Sequence, residues 1–340
     1  MKALRFHGPG KVAIEDVPDP SPGPGEVILK THATGLCNSD VRVYLGEKHA
    51  EAGVVPGHEI TGEVAEVGEG GTATVGDLVS LCPIRACGSC SFCRSGYRNR
   101  CTSRATLGYD LDGGIAEYVR VPQRLVTLGH LLPVNGEAAP HIRALVEPLA
   151  CVLNSIESMN VRPGAPFAVV GGGPMGLMHM VAAQFYGAAP ILVVEPEERR
   201  RTVASELGAT SAVHPDEARE AAMSLTGGEG FPAVAMAVGY ADALPTALSI
   251  VRKLGWVNLF AGFPPGSEHA LDVNAIHYDE VRLFGTQNAP FHLFGKSAEV
   301  VHRIPKLDRL VTHRYSLPDA ANAYSARLDK DGLKSAVVME

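Results

Sequence analysis

The chain has 340 residues, enough for two separate hydrophobic cores, and 46% hydrophobic with 20% charged residues is the balance of an ordinary globular protein. A formal net charge of −7 argues against nucleic acid or an anionic membrane as the main partner. The first residues, MKALRFHGPGKVAIEDV, alternate as a strand does and then meet prolines, without a signal-peptide pattern, so a cytoplasmic location is expected.

Up to about residue 125 the chain consists of short alternating runs punctuated by Gly and Pro, such as EVILKTHATGL, GEVAEVGEG and GDLVSLCPI, which predict a compact all-β unit. From about 150 the rhythm changes to strand, helix, strand, helix. PFAVVGGG and ILVVE read as strands, and MGLMHMVAAQFYG and EERRRTVASELG as helices closed by Gly187 and Gly208. AVAMAV, WVNLFAG and VRLFGT read as further buried strands, with ALPTALSIVRKLG as a helix between the first two. Such alternation predicts a parallel sheet covered by helices on both faces. The apolar stretch from Phe167 to Phe185 approaches membrane-span length, but its glycines and the interior His179 and Gln184 fit a strand, a turn and a buried helix better. Beyond about 288 come a helical FHLFGKSAEVVHRI and a last strand, LKSAVVM, placed to return to the first domain.

Within the β-rich part, Cys87, Cys90, Cys93 and Cys101 are spaced C-x2-C-x2-C-x7-C in CGSCSFCRSGYRNRC. Four thiolates converging within one short lobe suit a tetrahedral Zn²⁺ with no open position, a structural site. Arg85, Arg94, Arg98, Arg100 and Arg104 crowd the same stretch and balance the negative charge. Two disulfides are the alternative, which a reducing cytosol disfavours.

Gly171, Gly173 and Gly176, with Pro174 and Met175 between them, form G-x-G-x-x-G after one strand and before a helix. The first glycine permits a tight turn, the second lets backbone approach a pyrophosphate, and the third lets helix and strand pack closely. The helix N-terminus presents N–H groups to the phosphates. Glu195 ends the next strand at the spacing of a ribose-binding acid, which favours NAD over NADP. Arg199, Arg200 and Arg201 follow and can soften that preference, although the exposed face of a helix accounts for them better.

Three further segments carry metal-ligand residue types: Cys37 in GLCNSD, His58–Glu59 in PGHEITG, and Glu147 in VEPLACVL. A thiolate, an imidazole and a carboxylate make a Zn²⁺ site with a fourth position open to water or substrate. Cys82 and Cys151 read as small core residues.

With GHEITGEVAEVG, CGSCSFCRSGYRNRC and VVGGGPMG in place, the chain resembles the zinc-containing medium-chain dehydrogenase/reductase family over its full length, and VEPLACVL is similar to its polyol (sorbitol-type) and cyclitol dehydrogenase branch. The resemblance implies an α/β protein in which a GroES-like β-barrel catalytic domain, residues 1–150 and 288–340, receives an inserted Rossmann domain, residues 151–287. It implies that Cys37 and His58 bind a catalytic zinc with Glu59 or Glu147 as the remaining protein ligand, and that Ser39 is the proton-relay hydroxyl. Val238 and Gly239, Ala261, Gly262 and Phe263, and Thr286, Gln287 and Asn288 then join the glycine motif, Glu195 and Arg200 in holding the coenzyme. The implied reaction oxidises a secondary hydroxyl of a polyol, sugar or cyclitol to a ketone, with hydride transfer to NAD+. A threonine-type or amino-alcohol dehydrogenase and a non-catalytic binding member are the alternatives. Family members form dimers or tetramers, and WVNLFAG is a candidate for sheet-to-sheet pairing.

The chain departs from the family's pattern at Arg42, where relatives carry a relay histidine, and at Asn38 beside the substrate position. Arginine is a poor base. His49 is the nearby alternative for releasing the proton.

Overall fold

A computed structural model describes residues 1–339, which fall into two compact units. The first comprises residues 1–150, 290–303 and 308–339, and the second residues 151–289 and 304–307.

The first unit opens with a hairpin, Lys2–Gly8 against Lys11–Asp16, whose alternating residues put Leu4 and Phe6 inward. Its main sheet has seven strands. Val27–Leu36 lies at the centre and pairs antiparallel with Glu59–Val67, with Tyr118–Val121 and with Lys334–Val338. Leu29, Ile60, Val64, Val79, Val119 and Val121 form a buried cluster against this sheet. The central pairing slips register between Thr31 and Ala33, opposite Gly62, where an added Cβ would lie 2.2 Å from the Lys30 carbonyl oxygen. Only glycine allows the two backbones that approach.

In the second unit six parallel strands run in the order Ser211–Val213, Ile191–Val194, Phe167–Val170, Phe231–Met236, Val251–Leu259, Arg282–Gly285. The inner strands are continuous Val, Ala, Leu and Ile runs because both faces are covered. The order reverses at Phe167–Val170, the switch point where such sheets bind ligands. Among the described residues no helix is long and apolar enough to cross a membrane, and Phe167 to Phe185 is a strand, a glycine turn and the helix Pro174–Phe185.

Three sequence expectations need correction. ALPTALSIVRKLG is a helix only over Leu244–Ile250; the strand begins at Val251, and Leu254 takes a left-handed φ of 61° that no helix continues through. WVNLFAG, a candidate for sheet-to-sheet pairing, lies inside the sheet with a strand on either side, so its own backbone is already paired. VRLFGT, read as buried, is the end strand and is partly exposed.

His179 is fully buried on the helix Pro174–Phe185, with Nδ1 2.7 Å from the Met175 carbonyl and the ring edge-on to Phe260. Burial lowers its pKa from 6.5 to about 4, so the folded chain keeps it neutral while the unfolded chain protonates it below 6.5. The unfolded state then binds more protons, and the contribution to stability, complete above pH 6.5, is lost as pH falls toward about 4. Urea midpoints measured across that window should fall with pH, and more gently in His179→Phe than in the native chain.

Candidate functional site

Cys37 follows directly on the central strand and is the N-cap of the short helix Asn38–Tyr44. Asp40, in the first turn, accepts the Cys37 N–H at 2.9 Å and fixes this entry. His58 comes from the neighbouring strand's approach, across Gly57 at φ 92°, a turn in which an added Cβ would strike Thr34 and Ile115. Glu59 is the first residue of that strand. One ligand atom each from Cys37, His58 and Glu59 lies within 4.8 Å of the others.

The surroundings define the state of each ligand atom. His58 Nδ1 lies 3.2 Å from Asp40 Oδ1 and 3.0 Å from the Tyr109 hydroxyl, which leaves Nε2 for a ligand. Burial opposes the imidazolium, but Asp40 and Cys37 outweigh it and hold His58 well above the usual histidine range. A metal arriving at Nε2 displaces that proton. Tyr109 also meets Ser39 Oγ at 2.7 Å, and burial, with Asp40 and Cys37, pushes its phenol well above the usual tyrosine range. Glu59 Oε1 accepts from Lys334 Nζ at 2.6 Å, both side chains fully or almost fully buried, while Oε2 is buried without a hydrogen-bond partner. That oxygen sits where a Cβ on residue 35 would be, 1.9 Å away, so Gly35 makes its room. A soft thiolate, an imidazole ordered by a carboxylate and an orphaned carboxylate oxygen fit a Zn²⁺ ion.

Glu147 is buried in the first turn of the helix Val146–Ser158 and is outside that three-residue cluster, yet its charge is felt at Tyr109, Lys48 and Cys82. Burial pushes the Cys82 thiol up to about 12, an inert core thiol, and Cys151 is likewise absent from the cluster. Arg42 is tied to Glu47 at 3.2 Å, and the exposed His49 meets Glu51, so neither joins the Ser39–Tyr109 chain. Asp40, Tyr109 and Lys334 were missed by sequence reasoning. The one available signal was a lysine inside the apolar run LKSAVV.

The second cluster gathers Cys87, Cys90, Cys93 and Cys101, again with ligand atoms within 4.8 Å of one another. All seven cysteines of the chain are free thiols, so disulfides do not hold this lobe. Backbone N–H groups of Cys87, Ser89, Cys90 and Ser103 point at the sulfurs at 3.2–3.4 Å. The Ser89 N–H, the Ser89 hydroxyl and the Cys90 N–H draw the Cys87 thiol down to about 5, whereas burial raises Cys93 to about 12. The clustered arginines act less directly than their number suggests. Arg94, Arg98 and Arg104 donate to the carbonyls of Ser89, Leu128 and Asn99, and Arg124, from a separate helix, donates to Ala86 and Cys87.

At the switch point, Gly171 takes φ 105° and packs on Val238, and a Cβ at Gly176 would lie 1.8 Å from the Gly171 carbonyl oxygen. In front of Gly173 the space is open, with only Arg200 at 3.9 Å, and no side chain caps the helix that starts there. A dinucleotide pyrophosphate fits this open backbone. Glu195 accepts the Gly172 N–H at 2.6 Å and the Glu197 N–H at 3.0 Å, so its carboxylate is pinned beside the fingerprint. Arg201 closes onto the Glu195 and Pro196 carbonyls, and Arg200 pairs with Glu197. Gly239 approaches the Gly262 carbonyl, which sets Val238–Gly239 beside the Ala261–Phe263 turn. Thr286 shares hydrogen bonds with Asn258, Gln287 is exposed, and Asn288 offers its carbonyl to Asn154 at 2.7 Å.

Residues 23–130 match the alcohol dehydrogenase GroES-like domain family and residues 174–301 the zinc-binding dehydrogenase family. A sorbitol dehydrogenase of Halalkalibacterium halodurans is 32% identical over 345 residues, covering 98% of each chain. The chain belongs to the zinc-containing medium-chain dehydrogenases. It is thus an oxidoreductase of the zinc-type alcohol dehydrogenase kind, with a GroES-like and a Rossmann-like part. An L-threonine 3-dehydrogenase of Pyrococcus horikoshii is also 32% identical, over 93% of this chain and 91% of that protein. Among solved structures, a zinc-binding dehydrogenase of Sinorhizobium meliloti bound to NADP superposes with a TM-score of 0.91 at 28% identity, covering 99% of this chain and 98% of that one.

Burial opposes the charge on Lys334, but Glu59 and Cys37 hold its ammonium above the usual lysine range. Lys334→Met strands the Glu59 carboxylate without its counter-charge. It should cost about 3–5 kcal/mol in urea unfolding of the metal-stripped protein; an unchanged midpoint would show that the pair carries no such weight.

Proposed function

We propose that this chain oxidises a secondary hydroxyl of a polyol, sugar or cyclitol to a ketone with NAD+, using a zinc held by Cys37 Sγ, His58 Nε2 and Glu59. The observation that carries the reading is the buried, unpartnered Glu59 Oε2, clustered with a thiol and with an imidazole whose other nitrogen is already engaged. Glu147 is the alternative carboxylate; its charge is felt at Tyr109, the neighbour of His58. The four-cysteine lobe holds a second, structural zinc through Cys87, Cys90, Cys93 and Cys101.

When bound, Zn²⁺ supplies the Lewis acidity that makes a hydroxyl easier to deprotonate, and the nicotinamide supplies the hydride acceptor. The rest falls to the chain's own side chains. Asp40 holds His58 in the tautomer that presents Nε2. Ser39 Oγ takes up the substrate's proton, and the Tyr109 hydroxyl holds Ser39 in place. With Arg42 occupied by Glu47, the proton leaves Ser39 through solvent or the coenzyme's ribose. Lys334 keeps one oxygen of Glu59 occupied, so the carboxylate offers the metal the other.

The Gly171–Gly176 turn receives the pyrophosphate, and Val238, Gly239, Ala261–Phe263 and Thr286–Asn288 border the coenzyme. Glu195 accepts from the ribose hydroxyls and repels a 2′-phosphate, which supports NAD over NADP. Arg200, beside Gly173, is the residue that works the other way. Threonine or another amino alcohol is the second reading, favoured by the threonine dehydrogenase relative.

A panel of polyols, cyclitols, amino sugars and L-threonine, followed by NADH formation with metal content measured on the same sample, tests the reading. Two zinc ions per chain and oxidation of a polyol or cyclitol are expected; activity with threonine alone moves the assignment to the second reading. Cys37→Ser should abolish turnover while leaving the structural zinc bound. Asp40→Asn should weaken retention of the catalytic zinc by about 10–100-fold in a chelator competition. Glu195→Ala should bring NADP+ turnover closer to that with NAD+, and unchanged coenzyme preference would remove Glu195 from the ribose.

A further inference from the structure

The loop after the Asn38–Tyr44 helix carries an ammonium group to the edge of the proposed zinc site. Lys48 Nζ lies 3.5 Å from the centre of the Tyr109 ring, the ring whose hydroxyl meets both Ser39 and His58. The loop is held rather than loose, since the Glu47 and Lys48 N–H groups both donate to the Arg42 carbonyl, at 2.8 and 3.2 Å. Arg104 is close enough for its charge to act on Lys48, and it spends one N–H on the Asn99 carbonyl at 3.1 Å.

Among the described residues neither cation forms an ion pair. The carboxylates on the neighbouring stretches of chain are already engaged. Glu47 is taken by Arg42, Glu51 by His49, Asp110 by the Thr106 N–H, and Asp112 by the Val55 N–H and Arg5. Asp40 is taken by His58 and the Cys37 N–H. The negative charges that act on Lys48 belong to the reactive site itself: Asp40, Cys37 and Glu147. Burial disfavours the ammonium most, Asp40 and Cys37 act against that, and Arg104 adds a weaker repulsion, so two exposed cations stand beside the reaction centre with neither in an ion pair among the described residues.

Resting on the dehydrogenase reading above, we infer that Lys48 and Arg104 form a subsite for an anionic group of the substrate, a carboxylate or a phosphate monoester carried a few bonds from the hydroxyl that is oxidised. The cations are placed to receive an anion while Tyr109, beneath Lys48, positions Ser39 for the hydroxyl proton. Charge-assisted hydrogen bonds from a lysine and an arginine are among the stronger contacts a binding site can offer. A neutral polyol leaves both cations unmatched, which sets the direction of the preference.

The test compares substrates that differ mainly in the anionic group: sorbitol, gluconate and sorbitol 6-phosphate, each with the zinc-loaded chain and NAD+. The expected result is a kcat/KM for at least one anion about 10–100-fold above that for sorbitol, weakening as salt is raised. Gluconate or the phosphate ester leading the series says which anion the subsite takes. In Lys48→Met with Arg104→Gln the anion-to-sorbitol ratio should collapse toward one, through KM more than kcat. Calorimetric titration of the zinc-loaded chain with inorganic phosphate, without coenzyme, gives a second readout: binding in the native chain, lost in the double variant. Equal use of sorbitol and both anions, or a ratio that survives the double substitution, overturns the subsite. If no alcohol is oxidised, the dehydrogenase reading fails, and the phosphate titration still decides whether the two cations bind an anion.

Discussion

Everything in the first unit's site turns on one buried carboxylate that cannot be left alone. Glu59 is fully buried, and a charge in that position is tolerated only with a partner for each oxygen. Lys334 satisfies one, and the other faces the same small space as Cys37 and His58. Gly35 is required because any side chain there would occupy that space. The central sheet pairing, the turn at Gly57 and the helix that begins after Cys37 all follow from delivering three ligand atoms to one point.

The two cysteine-containing clusters are built in opposite ways. The four-cysteine lobe draws its sulfurs from 15 consecutive residues, Cys87 to Cys101, and points its own backbone N–H groups at those of Cys87 and Cys101. The other cluster draws its groups from separate strands and fixes them with side chains from elsewhere: Asp40 on His58, Tyr109 on Ser39, Lys334 on Glu59. In the dehydrogenase reading the first arrangement fills a metal's shell, and the second leaves one position open.

This difference explains what could be read from the sequence. Cysteine spacing, the glycine fingerprint and the period change near residue 150 are local patterns, and local patterns survive in one dimension. Lys334 and Tyr109 gain their roles from partners 275 and 51 positions away, and nothing in LKSAVV or LGYDLD announces those partners. Asp40 was closer to legible, three residues after Cys37, but its contact with His58 needs the sheet. The misread end of ALPTALSIVRKLG has a similar cause. VRKLG has acceptable helix composition, but Val251 pairs with Phe231, Leu254 takes a left-handed φ of 61°, and the register shifts before pairing resumes at Trp256. Whether Glu59 or Glu147 faces the metal was likewise open in the sequence, because both stand in motifs that suit a ligand.

The Glu59–Lys334 pair also imposes an order in time. Its two halves are separated by 275 residues, so the carboxylate is translated, and its strand can begin to pair, long before its counter-charge exists. Closing so long a loop is slow compared with forming the local cysteine lobe. The lobe can therefore take up metal early, on its own stretch of chain, while the reactive site matures only when the Lys334–Val338 strand docks beside Val27–Leu36. Until the last strand is in place, the Glu59 carboxylate is a buried charge without its partner, so the C-terminal residues complete a site that the first sixty began.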